Sequence, residues 1–362
     1  MWTVFIIVTG LVALVAGAEL LVRGASHIAA FWGVSPLIVG LTVVAFGTSA
    51  PEMAVSVAAT LEGRADIAVG NVVGSNVFNV LLILGLSAVV IPLKVNQKLV
   101  RFDVPLMIAA SISMSLMGQD GTISRMEGGL LFSGLFAYTA WCILVGNRES
   151  ADICEEYGEA FGEKTAASSK AGTKRGGNLF CQFLWIIGGL VLLVFGARWL
   201  VDGATTVARG LGVSELVIGL TIVAGGTSLP ELATSIIAAI RGERDIAVGN
   251  VVGSNLFNIL GVLGLAALAG PNGVPVAGQT LSFDIPVMVI VAAACLPIFF
   301  TGHQISRLEG SLFLGYYFAY TSALILMATS SSLLPQFEQA ILLIVIPMTI
   351  VIVMIEKYRS VG

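Results

Sequence analysis

Two glutamates stand where an apolar chain should least tolerate them. Glu52 closes the string GTSAPE at 47–52 and Glu231 closes GTSLPE at 226–231, each inside a long oily stretch. An ionisable group near the centre of a membrane helix is costly, usually faces a cavity, and marks an ion or proton pathway. A structural carboxylate paired with arginine is the alternative, but neither string contains Lys or Arg. A cation is then the natural source of the missing countercharge.

The residues before each glutamate indicate how a cation is held. Pro51 has no amide proton and obstructs the carbonyl four residues back, at Gly47, which itself loosens the backbone. The helix is expected to bend or unwind here and free carbonyls near Ala45 to Thr48, with Pro230 and Gly226 doing the same near Ala224 to Thr227. Irregular backbone at membrane depth is tolerated where it lines a cavity or is buried in protein. A second polar stripe follows. Asn71, Ser75 and Asn79 recur every four residues and share one helix face, as do Asn250, Ser254 and Asn258. Asn71 and Asn250, with the small pairs Gly70/Gly74 and Gly249/Gly253, read as helix packing. The remaining Ser and Asn side chains are available as neutral ligands.

These donors are carboxylates, hydroxyls, amides and carbonyls, all hard oxygens, with no His or Cys among them. Calcium takes six to eight such oxygens in flexible geometry, whereas soft metals favour thiolate or imidazole. Two carboxylates neutralise one divalent ion, and the same cage accepts sodium ions or protons instead. Competition of two cargoes for one site is the physical basis of exchange.

The elements that must position these groups span a membrane. Hydrophobic residues make up 57% of 362 positions and charged residues 11%, against about 25% charged in soluble domains. Runs of about 20 apolar residues, enough to cross a bilayer core, recur throughout. Eleven candidate helices lie near 2–22, 36–60, 66–91, 102–118, 126–146, 179–202, 214–240, 246–268, 282–300, 306–328 and 336–356. The first lacks a basic leader and is long enough to span, so it reads as a helix and not as a cleaved signal. The polar segment 147–178 reads as a solvated, partly helical or disordered linker. With an external N-terminus, fourteen of the 18 Lys and Arg residues fall on the inner side, a positive-inside bias that places linker and C-terminus inside. Cys142, Cys154, Cys181 and Cys295 show no metal or disulfide spacing.

The chain is also an internal repeat. GVSPLIVGLTVVAFGTSAPE (33–52) matches GVSELVIGLTIVAGGTSLPE (212–231), and DIAVGNVVGSNVFN (66–79) matches DIAVGNVVGSNLFN (245–258), both 179 residues apart. FDVP (102–105) recurs as FDIP (283–286), and ISRMEG (123–128) as ISRLEG (305–310). Each repeat covers five helices. Five is odd, so the halves must be inverted about an axis in the membrane plane, a build used by secondary transporters with the site at the repeat interface. The expected fold is an all-α polytopic membrane protein. It has a repeat at 1–146, a cytoplasmic linker at 147–178, a second repeat at 179–328 and an extra transmembrane helix within 329–362.

At these motifs the chain resembles the sodium/calcium exchanger family, within the cation/calcium antiporter superfamily, and looks most like its prokaryotic calcium/sodium antiporters over roughly 1–328. The resemblance implies ten helices in two inverted repeats. Ion sites form on the broken second and seventh helices and the facing third and eighth, and the first and sixth helices slide to alternate access. Carried over position by position, Glu52 and Glu231 are the central carboxylates, and Thr48, Ser49, Thr227 and Ser228 are ligands beside them. Ala45 and Ala224 give backbone carbonyls, Ser75 and Ser254 give side-chain ligands, and Asn79 and Asn258 close the ring. Family members that also need potassium carry Asp at the position of Asn258; Asn here gives a formal site charge of −2 and resembles the potassium-independent branch. Three sodium ions per calcium is the stoichiometry that the resemblance implies. The eleventh helix departs from the ten-helix pattern, and the linker is too short for the calcium-sensing domains of animal exchangers.

The expected function is exchange of Ca2+ for Na+ across a prokaryotic inner membrane, with a calcium/proton exchanger as the alternative and a cation channel as a weaker one. An inverted repeat within one chain argues against a channel, whose pore is often a ring of subunits. No HExxH or nucleophile elbow suggests an enzyme, and His27 and His303 sit near helix ends. No cofactor is expected; the partners are inorganic cations and the lipid bilayer, not nucleic acid, and the sequence does not specify an oligomeric state.

Overall fold

The computed structural model describes residues 2–32, 34–161, 179–300, 303–341 and 343. Among them, eight unbroken helices are long and apolar enough to span a membrane: α1 Trp2–Trp32, α3 Asp66–Val90, α4 Leu99–Asp120, α5 Arg125–Leu144, α6 Phe180–Gly210, α8 Arg244–Ala269, α9 Thr280–Phe300 and α10 Arg307–Ala328. Two further spans are bent pairs, α2 (Pro36–Thr48 with Ala50–Leu61, 43°) and α7 (Glu215–Gly226 with Leu229–Ile240, 50°). A short α11, Leu334–Ala340, follows; most of the expected eleventh helix at 336–356 lies outside the described residues. The helical backbone of α5 continues to Phe161, into the segment expected as a linker, and 162–178 lie outside the described residues.

The repeated motifs account for how the helices start and pair. ISRMEG and ISRLEG are capping boxes, in which a serine and a glutamate three residues on satisfy each other's orphan amides. The Ser306 amide donates to Glu309 Oε2 (2.8 Å) and the Glu309 amide to Ser306 Oγ (3.2 Å). Ser124 and Glu127 repeat this at the start of α5, at 2.8 and 3.3 Å. FDVP and FDIP place an aspartate where α4 and α9 begin. The Tyr138 hydroxyl of α5 donates to Asp103 (3.1 Å), and that of Tyr320 in α10 to Asp284 (3.0 Å), so each motif ties its helix to the next.

The two halves are also stitched to each other. Strand β1, Leu93–Lys94, runs antiparallel to β4, Gln304–Ile305, and β2, Thr122–Ile123, to β3, Val274–Pro275. The Val95 amide donates to the His303 carbonyl and, reciprocally, the Val276 amide to the Gly121 carbonyl, both at 2.8 Å. Each half lends one strand to each ribbon, the exchange that a two-fold relation between repeats generates.

Helices α1 and α6 form a close pair. A Cβ on Gly17 would lie 2.7 Å from the Gly189 carbonyl oxygen, and one on Gly10 2.9 Å from that of Gly196, so the backbones touch along a seam that only glycine permits. α1 is longer than the 2–22 read from sequence because Arg23 does not end it: its guanidinium pairs one turn back with Glu19. At the centre α3 and α8 are the most buried spans, which suits elements carrying polar ligands. Both contain a wide π-helical stretch, at Asn79–Leu84 and Phe257–Leu263, and α2 and α7 contain matching ones at Gly40–Val44 and Gly219–Val223. Such turns occur often at functional sites. Cys142, Cys181 and Cys295 are free thiols.

Candidate ion-binding site

The breaks in α2 and α7 fall at Ser49 and at Thr227–Ser228, two or three residues before Pro51 and Pro230. Each proline takes the second position of the following half-helix, where its missing amide proton matters least, and each glutamate takes the third. The carboxylates therefore sit at the N-terminal ends of half-helices, where the macrodipole favours negative charge. Both are buried, Glu52 at 1% and Glu231 at 0% exposure, and no lysine or arginine forms an ion pair with either among the described residues.

The two halves hold each other's carboxylate. Ser228 Oγ donates to Glu52 Oε1 (3.0 Å), and Ser49 Oγ approaches Glu231 Oε1 (3.3 Å). Ser228 Oγ also lies 3.1 Å from Ser75 Oγ on α3. Thr48 Oγ1 donates to Asn250 Oδ1 (3.1 Å) and Thr227 Oγ1 to Asn71 Oδ1 (3.4 Å). With their protons committed to asparagine, these threonines keep oxygen lone pairs for a cation.

Asn71 and Asn250 anchor the glutamate half-helices. Asn71 Nδ2 donates to Ser56 Oγ (2.9 Å) and the Glu52 carbonyl (3.3 Å); Asn250 Nδ2 donates to Ser235 Oγ (3.0 Å) and the Glu231 carbonyl (3.4 Å). This fits the packing role read from their spacing. A second pair, Asn76 and Asn255, was not singled out in the sequence. Asn79 Nδ2 donates to Asn255 Oδ1 (3.0 Å) and Asn258 Nδ2 to Asn76 Oδ1 (3.1 Å). Asn76 Nδ2 in turn reaches the Asn255 carbonyl (3.4 Å) and Met288 Sδ (3.6 Å), while Asn255 Nδ2 reaches the Asn76 carbonyl (3.5 Å) and Met107 Sδ (3.4 Å). Because both amide nitrogens are used in this lattice, the Oδ1 atoms of Asn79 and Asn258 are turned elsewhere. The four-residue spacing hid Asn76 and Asn255, since they lie one position off the stripe; their recurrence in GSNVFN and GSNLFN was the available signal.

What is left over is a set of oxygens. Glu52 Oε2, Glu231 Oε2, Asn79 Oδ1, Asn258 Oδ1 and Ser254 Oγ are buried and have no hydrogen-bond partner among the described residues. Buried polar atoms are ordinarily paired. Two carboxylate oxygens, two amide oxygens and a hydroxyl suit a hard cation, and among the described residues no three His, Cys, Asp or Glu side chains come together. The Ala45 carbonyl accepts the Ser49 amide at 3.0 Å, and Thr48 Oγ1, whose proton goes to the closer Asn250 Oδ1, lies 3.4 Å from it. The carbonyl is less free than the sequence suggested, and only the longer contact is weak enough to yield readily to an ion.

The site is not symmetric in its surroundings. The N-terminal half of α2 packs directly on α8: a Cβ on Gly253 would lie 2.7 Å from the Leu41 carbonyl oxygen, and one on Gly249 3.0 Å from that of Leu37. At the equivalent places on α3, Gly74 and Gly70 have nothing within 4 Å. Gly225 of α7 instead meets the Phe78 ring, 2.9 Å from its added Cβ. Accordingly Ala45, Thr48 and Asn250 are buried, whereas Ala224 is exposed and Thr227 and Asn71 are half-buried. The N-terminal half of α7 stands off the Gly70/Gly74 face of α3, whereas that of α2 is closed on α8.

A bent helix pair offering mutually held carboxylates beside asparagine-rich central helices defines a cation-transport membrane protein. The family described as "Sodium/calcium exchanger protein" matches residues 2–144 and 181–326, and the chain belongs to that family. It is 33% identical to the sodium/calcium exchanger MaX1 of Methanosarcina acetivorans over 87% of this chain and 96% of that one. It is 36% identical to the putative antiporter CaxA of Alkalimonas amylolytica (88% and 97% covered), and 38% identical to the inner membrane protein YrbG of Escherichia coli (80% and 87%). Structures of the sodium-calcium exchanger NCX_Mj superpose with a TM-score of 0.72 at 31% identity, covering 91% of this chain and 98% of theirs. The chain is thus an integral membrane protein of a transporter family, with a fold matching a solved exchanger.

Proposed function

We propose that this protein exchanges Ca2+ for Na+ by alternating access, without a requirement for K+. The observation that carries the reading is the set of buried, unpartnered oxygens around Glu52 and Glu231, whose two formal charges match one divalent cation. Glu52, Glu231, Asn79, Asn258 and Ser254 form the core of the site. Thr48, Ser49, Thr227, Ser228 and Ser75 supply hydroxyl oxygens, and Ala45 and Ala224 supply carbonyls. Without a cation the two carboxylates repel each other in a low-dielectric setting, which disfavours crossing of the empty, ionised site.

Alternation follows from the asymmetry of the gates. In this reading the gap beside Gly70 and Gly74, which have nothing within 4 Å, is the entrance for ions, and the contact of α2 on α8 bars the other side. Exchanging the roles of the halves closes the first gap and opens the second. With the N-terminus outside and the linker and C-terminus inside, as the distribution of Lys and Arg favours, the open side faces outward. The two repeats, 1–146 and 179–328, are then inverted across the membrane.

The absence of basic partners at Glu52 and Glu231 also allows protons to serve as the counter-cargo, so a calcium/proton exchanger is the second reading. Purified protein in liposomes tests the choice: an outward sodium gradient should drive Ca2+ uptake at constant pH and in the absence of K+. Uptake that ignores sodium and follows a pH gradient would establish the second reading.

A further inference from the structure

The repeats match in shape but are opposite in charge at four positions. GAELLVRGA at 17–25 of α1 aligns with GARWLVDGA at 196–204 of α6, so Glu19 corresponds to Arg198 and Arg23 to Asp202. LEGR at 61–64, ending α2, aligns with IRGE at 240–243, ending α7, so Glu62 corresponds to Arg241 and Arg64 to Glu243. Each position carries one sign in the first repeat and the other sign in the second.

In the structure α1 lies along the C-terminal half of α7, and Arg241 grips Glu19 with two nitrogens, one of them Nε at 2.9 Å from Oε2. Arg23 holds the same carboxylate. The two-fold equivalent of this contact would join Arg198 of α6 to Glu62 at the end of α2. It is attractive because both partners are inverted together; inverting one alone would oppose like charges. Yet it is not made. Glu62 pairs with its neighbour Arg64, Arg198 is exposed and forms no ion pair among the described residues, and among them α6 makes no extensive contact with the C-terminal half of α2 to match that of α1 with the C-terminal half of α7.

The backbones of α1 and α6 touch through Gly10, Gly17, Gly189 and Gly196, a seam that couples a displacement of either helix to the other. We propose that Glu19–Arg241 and Arg198–Glu62 are alternative inter-repeat ion pairs, the first latching the α1–α6 pair in the present access state and the second in the opposite one. The inference rests on the alternating-access reading and adds the residues that set its balance. The pairs are partly exposed and individually weak, which suits a latch that must release in every cycle.

The test uses full-length protein in liposomes with its four cysteines replaced by serine. Arg198→Cys with Glu62→Cys reports the second contact through a short bifunctional thiol reagent, and Glu19→Cys with Arg241→Cys reports the first; cross-links are read by mass spectrometry. Adding Arg241→Glu to the 198/62 pair should raise its cross-linking about two- to fivefold, and adding Glu19→Arg as well should reverse the gain. Conversely, Glu62→Arg should raise cross-linking of the 19/241 pair. The proposal is overturned if the 198/62 pair never cross-links above two non-facing cysteines, or if folded Arg241→Glu and Glu62→Arg proteins leave both yields unchanged. No ion flux enters this readout. Cross-links that shift as expected in a protein that does not exchange calcium for sodium would refute the proposed function and leave the latch standing.

Discussion

Replacing Gly253 by alanine puts a methyl group 2.7 Å from the Leu41 carbonyl oxygen, 2.8 Å from Ala45 Cβ and 2.9 Å from Leu41 Cα. Ordinary contact between carbon atoms is about 3.5–4.0 Å, so the N-terminal half of α2 must retreat from α8 by about 0.7–1 Å. Overpacking of this kind costs about 1–3 kcal/mol. The helix-propensity gain of alanine over glycine, up to about 1 kcal/mol, applies in both access states and cancels in the comparison. Gly253→Ala should therefore destabilise the present state relative to the opposite one by about 5- to 150-fold. Gly74→Ala is the control built into the repeat. Nothing lies within 4 Å of the added Cβ, so it is tolerated here and obstructs only the state in which α7 closes on α3. Hydrogen exchange resolved by mass spectrometry reads both. Residues 36–48 should lose protection in Gly253→Ala and gain or retain it in Gly74→Ala, and exchange flux should fall in both. Shifts of the same sign in the two variants, or no change in a folded Gly253→Ala protein, would refute the two-gate reasoning.

Glu52→Gln and Glu231→Gln each remove a buried charge that lacks a protein counter-ion, so without calcium they should be at least as stable as the parent. Their calcium affinity should fall by at least about thirtyfold, read as loss of the calcium-dependent rise in melting temperature. Asn76→Ala leaves Asn258 Nδ2 without its acceptor, at a cost of about 1–3 kcal/mol. The melting temperature should drop and calcium should bind more weakly, whereas Asn76→Asp, which keeps the acceptor, should retain more of both; equal effects would place Asn76 outside the site. Asn258→Asp raises the formal site charge to −3. Calcium flux should then depend on an added monovalent cation such as K+, measured by flux with K+ varied at constant sodium, and independence from K+ would show that this position does not set the requirement.

Much of this site was legible because the chemistry is written twice. A carboxylate after Gly and Pro inside an apolar run is an anomaly at Glu52 and a pattern once Glu231 repeats it. The bend was predictable from Pro51 and Pro230 because a missing amide proton has a fixed consequence. Asn76 and Asn255 were hidden because an ideal helix period puts them off the ligand face, while the helices here continue into π-helical turns at Asn79 and Phe257 that the period does not anticipate. The asymmetry could not be read at all. Gly74 and Gly253 are equivalent letters, and only the packing of α2 and α7 distinguishes them. The end of α1 was misplaced for a local reason: the span read from sequence stops at Val22, whereas the helix carries Arg23 onward, paired with Glu19.

The central claim is that one cage, held by Glu52 and Glu231, serves two cargoes in turn. Sodium-gradient-driven uptake of radioactive calcium by liposomes containing the purified protein addresses it most directly, with Glu52→Gln and Glu231→Gln measured beside the parent. Uptake that requires the sodium gradient and is abolished in both variants is the predicted result. Uptake that persists when either glutamate is neutralised, or that is unaltered when sodium is replaced by choline, would contradict it.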